Sequence, residues 1–190
     1  MSIEKLVLQN RSYRAFDESA PITADVMREL VDLARKTASG MNKQPLRYRI
    51  LCEKSDVAAM TRSCRFAMKL GIPLPPEGHN PTGFILIFID REAQSPQSLA
   101  LKDVGIAAQT ILLGAVEKGF GGCILGSFNP KTLCENLQIP ERYEPVLAIA
   151  LGKPAEQVVL HDATDGAIDY YRDENNVHHV PKHSLDDVFI

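Results

Sequence analysis

The sequence predicts a single domain that contains both helices and strands, and three observations support this prediction. The 190 residues are 45% hydrophobic and 24% charged, which is close to the averages of soluble globular proteins. Apolar spacing typical of helices alternates along the chain with apolar runs of strand length. No repeat or linker divides the sequence, so we expect residues 1–190 to form one domain that buries roughly 70% of its unfolded surface.

The first 51 residues carry two helical patterns and one strand pattern. Ile3, Leu6 and Val7 have helical spacing, which predicts a short helix over residues 3–9. Thr23 is a suitable N-cap for a second helix, which we expect to run through Ser39 and stop at Gly40. Apolar and basic residues alternate over residues 46–51 and predict a half-exposed strand.

The rest of the chain continues this alternation and ends in a polar hairpin. The run Phe84–Ile89 is continuously apolar, which predicts a strand covered on both faces. The segment 73–83 contains too many prolines and glycines for regular structure. The other predicted elements are helices over 55–70, 96–118 and 130–137, strands around 123–125 and over 146–151, and a hairpin whose arms 168–172 and 177–180 flank 173–176.

Charge and cysteine content exclude several classes of function. The net charge of −3 offers no global reason to bind nucleic acid or an anionic membrane. The first residues lack the basic and apolar regions of a secretory signal, and no stretch has the ~18 apolar residues of a membrane span. We therefore expect a cytoplasmic protein. The four cysteines form no CxxC pair, which argues against zinc knuckles and thioredoxin-like chemistry and predicts buried free thiols.

Common catalytic motifs are absent from the sequence. It has no HExxH, no GxSxG and no P-loop, and the glycine-rich segment 119–126 lacks the third glycine of GxGxxG. His179 and His183 have a spacing that metal ligands use, but no further ligand set accompanies them. A polar hairpin explains these histidines better, so we expect no metal site.

The tetrapeptide Arg11-Ser12-Tyr13-Arg14 is the clearest candidate for ligand binding. Two arginines three residues apart, beside a hydroxyl and a helix end, can converge on a phosphate through bidentate contacts. Taken alone, the same residues also fit a solvated pair of surface arginines.

Further segments show that the sequence resembles the nitroreductase-like flavoprotein family. They occur in the order and spacing typical of that family, and together they cover nearly the whole chain. The segments are Arg11-Ser-x-Arg14-x-Phe16, Ala38–Pro45, Asp103–Gln109, Gly119–Phe128, Glu144–Pro154 and Pro181–Val188.

The resemblance implies an α+β fold in which helices flank a mixed central sheet. It also implies an intertwined homodimer that binds FMN non-covalently at its interface. The long helix that carries Ala107, Ala108 and Gln109 would be the central dimer helix. From the sequence alone, a core helix of a monomer fits the same small residues.

The resemblance also assigns ten residues to the flavin site. Arg11, Ser12 and Arg14 would bind the phosphate, the ribityl chain or the pyrimidine edge of the flavin, and Lys182 would close the phosphate site. A loop from the other subunit would contribute Ser39, Asn42 and Gln44, while Ile124, Leu125 and Gly126 would lie against the isoalloxazine ring. The backbone N–H of Gly126 would face flavin N5. Without the resemblance, Lys182 fits an ordinary surface lysine, and the loop residues fit turn chemistry. The segment 119–126 fits a tight turn between a helix and a strand.

The activity implied by the resemblance is an FMN-dependent oxidoreductase. NAD(P)H would reduce flavin N5, leave, and be replaced by a nitroaromatic, a quinone or a similar flat acceptor, in ping-pong turnover. Because the flavin carries the hydride chemistry, we expect no catalytic side chain. The alternatives are a specialised flavin dehydrogenase or dehalogenase with a non-nitro substrate, a flavin-binding protein without turnover, and a fold that carries no cofactor.

Three departures from the family pattern concern the surroundings of the flavin. Leu46 replaces the aromatic residue that usually follows Gln-Pro, and Ala38 stands where proline is common. The mid-chain Asn and Lys that assist flavin binding in larger members have no clear counterpart, and Arg65 or Lys69 are the available substitutes. The Pro-rich loop over 73–83 is also short, so the substrate-capping region is either minimal or supplied by another segment. The substrate is therefore less well defined by the resemblance than FMN is.

Overall fold

Five helices and eight strands make up the fold in the computed structural model, which describes residues 1–190. The helices are α1 (Ile3–Gln9), α2 (Ala24–Ala34), α3 (Lys54–Ser63), α4 (Gln97–Glu117) and α5 (Pro130–Leu137). The strands are β1 (Phe16–Asp17), β2 (Leu46–Leu51), β3 (Gly83–Asp90), β4 (Gly121–Leu125), β5 (Tyr143–Pro154), β6 (Val158–Asp162), β7 (Tyr171–Arg172) and β8 (His178–Lys182).

A five-stranded central sheet forms the middle layer of the molecule. Strand β5 pairs with β3 on one side and with both β4 and β1 on the other, and β2 lies outside β3. These four ladders are antiparallel, and a bridge between Ser12 and Gly122 adds a parallel pairing. Together with the flanking helices, this arrangement confirms the predicted α+β fold.

The two faces of the central sheet carry separate hydrophobic clusters. Because side chains alternate along a strand, Ile85 and Ile87 pack with helices α2 and α4, whereas Phe84 and Leu86 pack with α3 and α5. All eight residues of β3 are buried. The prediction of a strand covered on both faces is therefore confirmed.

Helix α4 runs along one face of the sheet and is mostly buried. It is long and apolar enough to cross a membrane by length and composition. Its stripe of small and apolar residues, which includes Val104, Ala108 and Ile111, instead packs in the core. Such a buried helix is typical of the interior of a soluble protein.

A second, three-stranded sheet follows β5 and packs beside the N-terminal segment. Strand β8 lies at its centre, parallel to β6 and antiparallel to β7. The β7–β8 pair confirms the predicted hairpin, with Asp173–Asn176 at its turn. Strand β6 was not predicted from the sequence. It forms in the structure by pairing in parallel with the edge of β8.

Two predicted helices end earlier in the structure. Helix α2 stops at Ala34, not at Ser39, because the Thr37 hydroxyl donates to the Ala34 carbonyl and the Ser39 hydroxyl donates to Asp103. Helix α3 stops at Ser63, not at residue 70. There the chain becomes extended at Cys64 so that Cys64 and Phe66 can enter the core.

The four cysteines are all free, as predicted, but only two are buried. Cys64 and Cys123 lie in the cluster between the sheet and α3, where burial raises the pKa of Cys64 to about 11. Cys52 and Cys134 are partly exposed, which corrects the prediction for these two.

Candidate functional site

A cavity of about 380 Å³ lies between the end of α1, strand β4 and the C-terminal sheet. Three cationic side chains reach it, and none of its lining residues is acidic, so it favours an anionic ligand. Its lining residues are Asn10, Arg11, Ser12, Arg14, Gln109, Leu112, Ile124, Tyr170, His178, Val180 and Lys182.

Arg11 enters the cavity directly after helix α1. One guanidinium nitrogen, Nη2, donates to the Val7 carbonyl at 2.7 Å, while Nε is buried without a partner. Burial lowers the pKa of Arg11 from its usual value. Arg11 follows the C-terminal end of α1. The carbonyl groups at this end attract a cation. The backbone bridge between Ser12 and Gly122 fixes this segment against β4.

Arg14 is more deeply buried, with only 9% of its surface exposed. Its Nη1 donates to the Ser12 carbonyl at 3.1 Å and lies 3.0 Å from Nε2 of His178. The guanidinium lies over the Tyr170 ring, 5.4 Å from the ring centre. Its Nε has no partner, so a buried cation in this cavity retains hydrogen-bonding capacity.

A buried carboxylate holds the backbone that carries Arg14. Glu156 accepts hydrogen bonds from the backbone N–H groups of Arg14 and Ala15 and forms an ion pair with Arg172. The side chains of Glu156 and Arg172 are both almost fully buried. The carboxylate of Glu156 is thus paired with Arg172, and no hydrogen bond or ion pair joins it to the guanidinium of Arg14.

The structure brings five of the ten predicted site residues to this cavity: Arg11, Ser12, Arg14, Ile124 and Lys182. Leu125 points the other way into the core, as alternation along β4 requires. Gly126 follows at the strand end, where a Cβ atom would meet no other part of the chain. Open space is therefore available beside its backbone.

The two mid-chain basic residues do not line the cavity. Arg65 is tied to Ser127 by two hydrogen bonds, one from the backbone N–H of Arg65 and one from the Ser127 hydroxyl. Lys69 forms an ion pair with Asp169. Arg65 thus lies near Gly126, whereas Lys69 is engaged at the surface.

The predicted loop residues Ser39, Asn42 and Gln44 lie outside the cavity of their own chain. Asp103, buried on α4, accepts the Ser39 hydroxyl at 2.7 Å and the Gly40 N–H at 2.9 Å. A Cβ at Gly40 would lie only 3.1 Å from Leu99, so glycine allows the loop to approach α4 this closely.

The backbone of this loop is strained. Met41, Asn42 and Gln44 have φ values of 53°, 51° and 47°, a left-handed conformation that costs energy for residues other than glycine. Met41, Asn42 and Gln44 are nevertheless exposed to solvent. The strain is therefore maintained by the anchor at Asp103 rather than by burial of the loop tip.

Sequence reasoning missed the supporting carboxylate Glu156 and six residues of the cavity wall: Asn10, Gln109, Leu112, Tyr170, His178 and Val180. Alternation along β8 offered a signal, because residues 178, 180 and 182 share one face of that strand. His179 points to the opposite face, where it stacks on Tyr171 with 4.8 Å between ring centres.

Comparison with protein-family models places this fold and site in context. Residues 7–71 and 78–153 match the model of the nitroreductase family. The chain belongs to this family. The match ends at residue 153, so Tyr170, His178 and Lys182 come from a segment of this nitroreductase-family chain that lies beyond it.

Two curated relatives resemble this nitroreductase-family chain in sequence. A candidate NAD(P)H nitroreductase of Bacillus subtilis, YodC, is 28% identical over 177 residues, covering 77% of this chain and 88% of the relative. A candidate NADH dehydrogenase/NAD(P)H nitroreductase of Archaeoglobus fulgidus is 25% identical over 166 residues, covering 85% and 90%.

Solved structures share the nitroreductase fold. A candidate NAD(P)H:FMN oxidoreductase of Staphylococcus epidermidis superimposes with a TM-score of 0.74 and 18% identity, covering 100% of this chain and 95% of the other. A candidate nitroreductase of Desulfovibrio desulfuricans, solved in complex with FMN, has a TM-score of 0.69 and 24% identity, covering 82% and 88%.

Proposed function

We propose that this nitroreductase-family chain is an FMN-dependent oxidoreductase that takes electrons from NAD(P)H. The observation that carries this proposal is the cavity lined by Arg11, Arg14 and Lys182 without any acidic residue. A phosphate and the electron-rich pyrimidine edge of a flavin both require such fixed cations and donors. The names of the relatives, which include an FMN complex and NAD(P)H nitroreductases, point to the same cofactor and donor.

The chain's residues fit FMN in chemistry and in space. The cavity volume of about 380 Å³ lies within the ~300–1,000 Å³ typical of small-molecule pockets. The Nε atoms of Arg11 and Arg14 are buried without partners, so both guanidinium groups retain unused hydrogen-bonding capacity beside the cavity. Ile124 presents an apolar surface to a flat ring, and the space at Gly126 allows close approach to the backbone N–H.

The protein's own contribution is to bind and orient the cofactor. Bound FMN would supply hydride transfer, which needs no acid or base from the protein. Arg11, Ser12, Arg14 and Lys182 would hold its polar portions, and Ile124, Leu125 and Gly126 would border the ring. No side chain is assigned to catalysis, and nitroaromatics, quinones or similar flat compounds are the proposed acceptors.

The site would be completed by a second copy of the chain. Ser39, Asn42 and Gln44 lie outside the cavity of their own chain, and their strained loop would enter the partner's cavity. Apolar side chains such as Ile3 and Leu101 are exposed on helices α1 and α4. A homodimer would cover these surfaces. Each chain would form one FMN-binding domain over residues 1–190, and the dimer would be cytoplasmic.

Flavin titration and anaerobic reduction test the proposed activity. We expect the purified protein to bind FMN and the bound flavin to lose its yellow colour on addition of NADH or NADPH. Because a charge-assisted hydrogen bond contributes about 1.5–3 kcal/mol, Arg11→Ala and Arg14→Ala should each weaken FMN binding by about tenfold or more. Arg28→Ala, which removes an exposed arginine on α2, is the matched control.

Different outcomes separate the competing functions. A protein that takes up no FMN would contradict both flavin hypotheses. Bound flavin that neither nucleotide bleaches would instead indicate a flavin-binding protein without turnover. Equal FMN affinity in the wild type and both arginine variants would contradict the assignment of the cavity.

Mixed dimers test whether the loop acts on the partner's site. We expect Arg14→Ala and the double variant Asn42→Ala/Gln44→Ala each to bind FMN weakly as homodimers. A dimer with one subunit of each kind should regain one high-affinity site, because that site combines an intact cavity with an intact loop. Failure to regain any high-affinity binding would show that both sets of residues act within one subunit.

A further inference from the structure

His178 is the most deeply buried polar residue of the cavity wall. Only 1% of its surface is exposed, although it lies on the C-terminal sheet, beyond the region that matches the family model. Strand β8 pairs on both sides, with Val158 of β6 and Arg172 of β7 opposite His178. The ring is therefore fixed by the backbone on which it stands and by the adjacent Tyr170 ring, 5.4 Å away between centres.

The contact between His178 and Arg14 has only one chemically reasonable direction. An arginine guanidinium stays protonated and has no acceptor atom, so Arg14 Nη1 must donate to Nε2 of His178 across 3.0 Å. The imidazole is accordingly neutral and carries its proton on Nδ1. Burial first, and then the charges of Arg14, Arg172 and His179, lower the pKa of His178 to about 4.

This arrangement leaves a buried donor without a partner. The Nδ1 atom of His178 makes no hydrogen bond, and an unsatisfied buried polar group destabilises a protein. An apolar ring in the same place would avoid that cost. What only the histidine provides here is an acceptor for Arg14.

The acceptors around Arg14 orient its guanidinium group. Nη1 is occupied by the Ser12 carbonyl and by His178, and the Tyr170 ring supports one face of the planar group. Nη2 therefore remains as the donor that can meet a ligand while Nη1 stays held, and Nε is buried without a partner. Holding a flexible arginine in its binding orientation reduces the entropy lost on binding.

We propose that His178 is a positioning residue that orients Arg14 for flavin binding. This role rests on the proposed function, because the ligand that Arg14 would contact is FMN. His178 itself contributes through Arg14 and not by its own contact with the flavin. Removing the acceptor should therefore matter only while Arg14 is present.

A double-mutant cycle with FMN titration tests this role. We expect His178→Phe to weaken FMN binding by about tenfold in the wild-type background, since it keeps a ring but removes the acceptor. The same change should have almost no effect in the Arg14→Ala background. His178→Gln, which can place an amide oxygen near the position of Nε2, should restore binding to within about threefold of the wild type.

Two outcomes would overturn the role of His178. One is unchanged FMN affinity in His178→Phe. The other is an equal loss in both backgrounds, accompanied by a lower melting temperature of the flavin-free protein, which would indicate a purely structural residue.

The guanidinium NMR signals of Arg14 in the flavin-free protein give a second readout, which does not depend on FMN. Rotation of this group should be slow in the wild type and in His178→Gln, and faster in the Phe variant. Equal rotation in all three contradicts the positioning role. If the wild type instead binds no FMN while rotation responds as expected, the proposed function fails and the orientation of Arg14 stands.

Should His178→Phe fail to fold, His178→Leu takes its place in both measurements with the same expected results.

Discussion

The central sheet and the C-terminal sheet bury different chemistry. Every residue of β3 in the central sheet is buried, and the six side chains from Phe84 to Ile89 enter two apolar clusters. In β8, at the middle of the C-terminal sheet, only His178 and Pro181 are buried. Of these two, His178 is polar and faces the cavity. The apolar clusters lie between β3 and the helices.

We infer from this difference that stability and ligand recognition are divided between the two sheets. Burial of apolar surface is the main favourable contribution to folding, so the central sheet should dominate the free energy of unfolding. The C-terminal sheet presents Lys182 and the ring of His178 to the cavity, where the proposed ligand would supply partners. Matched substitutions in the two sheets test this division.

The largest expected effect comes from truncating a leucine in the central sheet. Leu86→Ala should lower the free energy of unfolding by about 2–5 kcal/mol, because it opens a cavity beside the fully buried strand β3. Leu160→Ala on the partly exposed strand β6 is the matched change and should cost less than half as much. Chemical denaturation measures both. Equal losses would show that the C-terminal sheet contributes to stability as the central sheet does.

An intermediate effect concerns acid stability. Asp90, at the end of β3, accepts two hydrogen bonds from Arg142 and also pairs with Arg47. The hydrogen bonds from Arg142 are the main reason that the pKa of Asp90 is lowered to about 2. A carboxylate with a lowered folded-state pKa stabilises the protein above its unfolded pKa of about 4, and this contribution is lost as pH falls toward 2. Asp90→Asn should therefore reduce stability at pH 7 and flatten its decline between pH 4 and 2.

The matched carboxylate of the C-terminal sheet is Asp173. Its pKa is lowered mainly by the hydrogen bond with His179, but its side chain is more exposed than that of Asp90. Asp173→Asn should change the acid limb less than Asp90→Asn does. Thermal melts from pH 7 to 2 measure this, and a larger effect of Asp173→Asn would reverse the proposed order of the two sheets.

The smallest stability effect separates the two faces of the C-terminal sheet. Tyr171 stacks on His179 away from the cavity, so Tyr171→Ala should cost only about 0.5–1.5 kcal/mol and leave FMN affinity unchanged. Tyr170 lies under Arg14 in the cavity wall, and Tyr170→Ala should weaken FMN binding. Tyr170→Phe keeps the ring and should bind almost normally. FMN titration decides, and a loss of affinity in Tyr171→Ala would contradict the separation of the faces.

Local sequence patterns predicted the elements that owe their structure to periodicity or to caps. Helix α1, helix α4, strand β2 and helix α5 appear within one residue of their predicted bounds, because apolar spacing and capping residues act over a few positions. The end of α2 could not be predicted this way. It depends on Asp103, which lies 64 residues from Ser39 along the chain.

The candidate site was only partly accessible to sequence reasoning. Arg11 and Arg14 are close together in the chain, so their convergence is a local property. Glu156 and His178 reach Arg14 from 142 and 164 residues away. No local pattern distinguishes such partners from other polar residues of a hairpin.

The sequence alone predicted the five helices, six of the eight strands, including the apolar β3, and the neighbouring pair Arg11 and Arg14. These follow from the spacing of side chains along one stretch of backbone. The residues that surround Arg14 and the face of β8 that meets the cavity became known only from the folded structure. The physical reason is that burial and hydrogen bonding of a charged side chain depend on groups that folding brings together from distant parts of the chain.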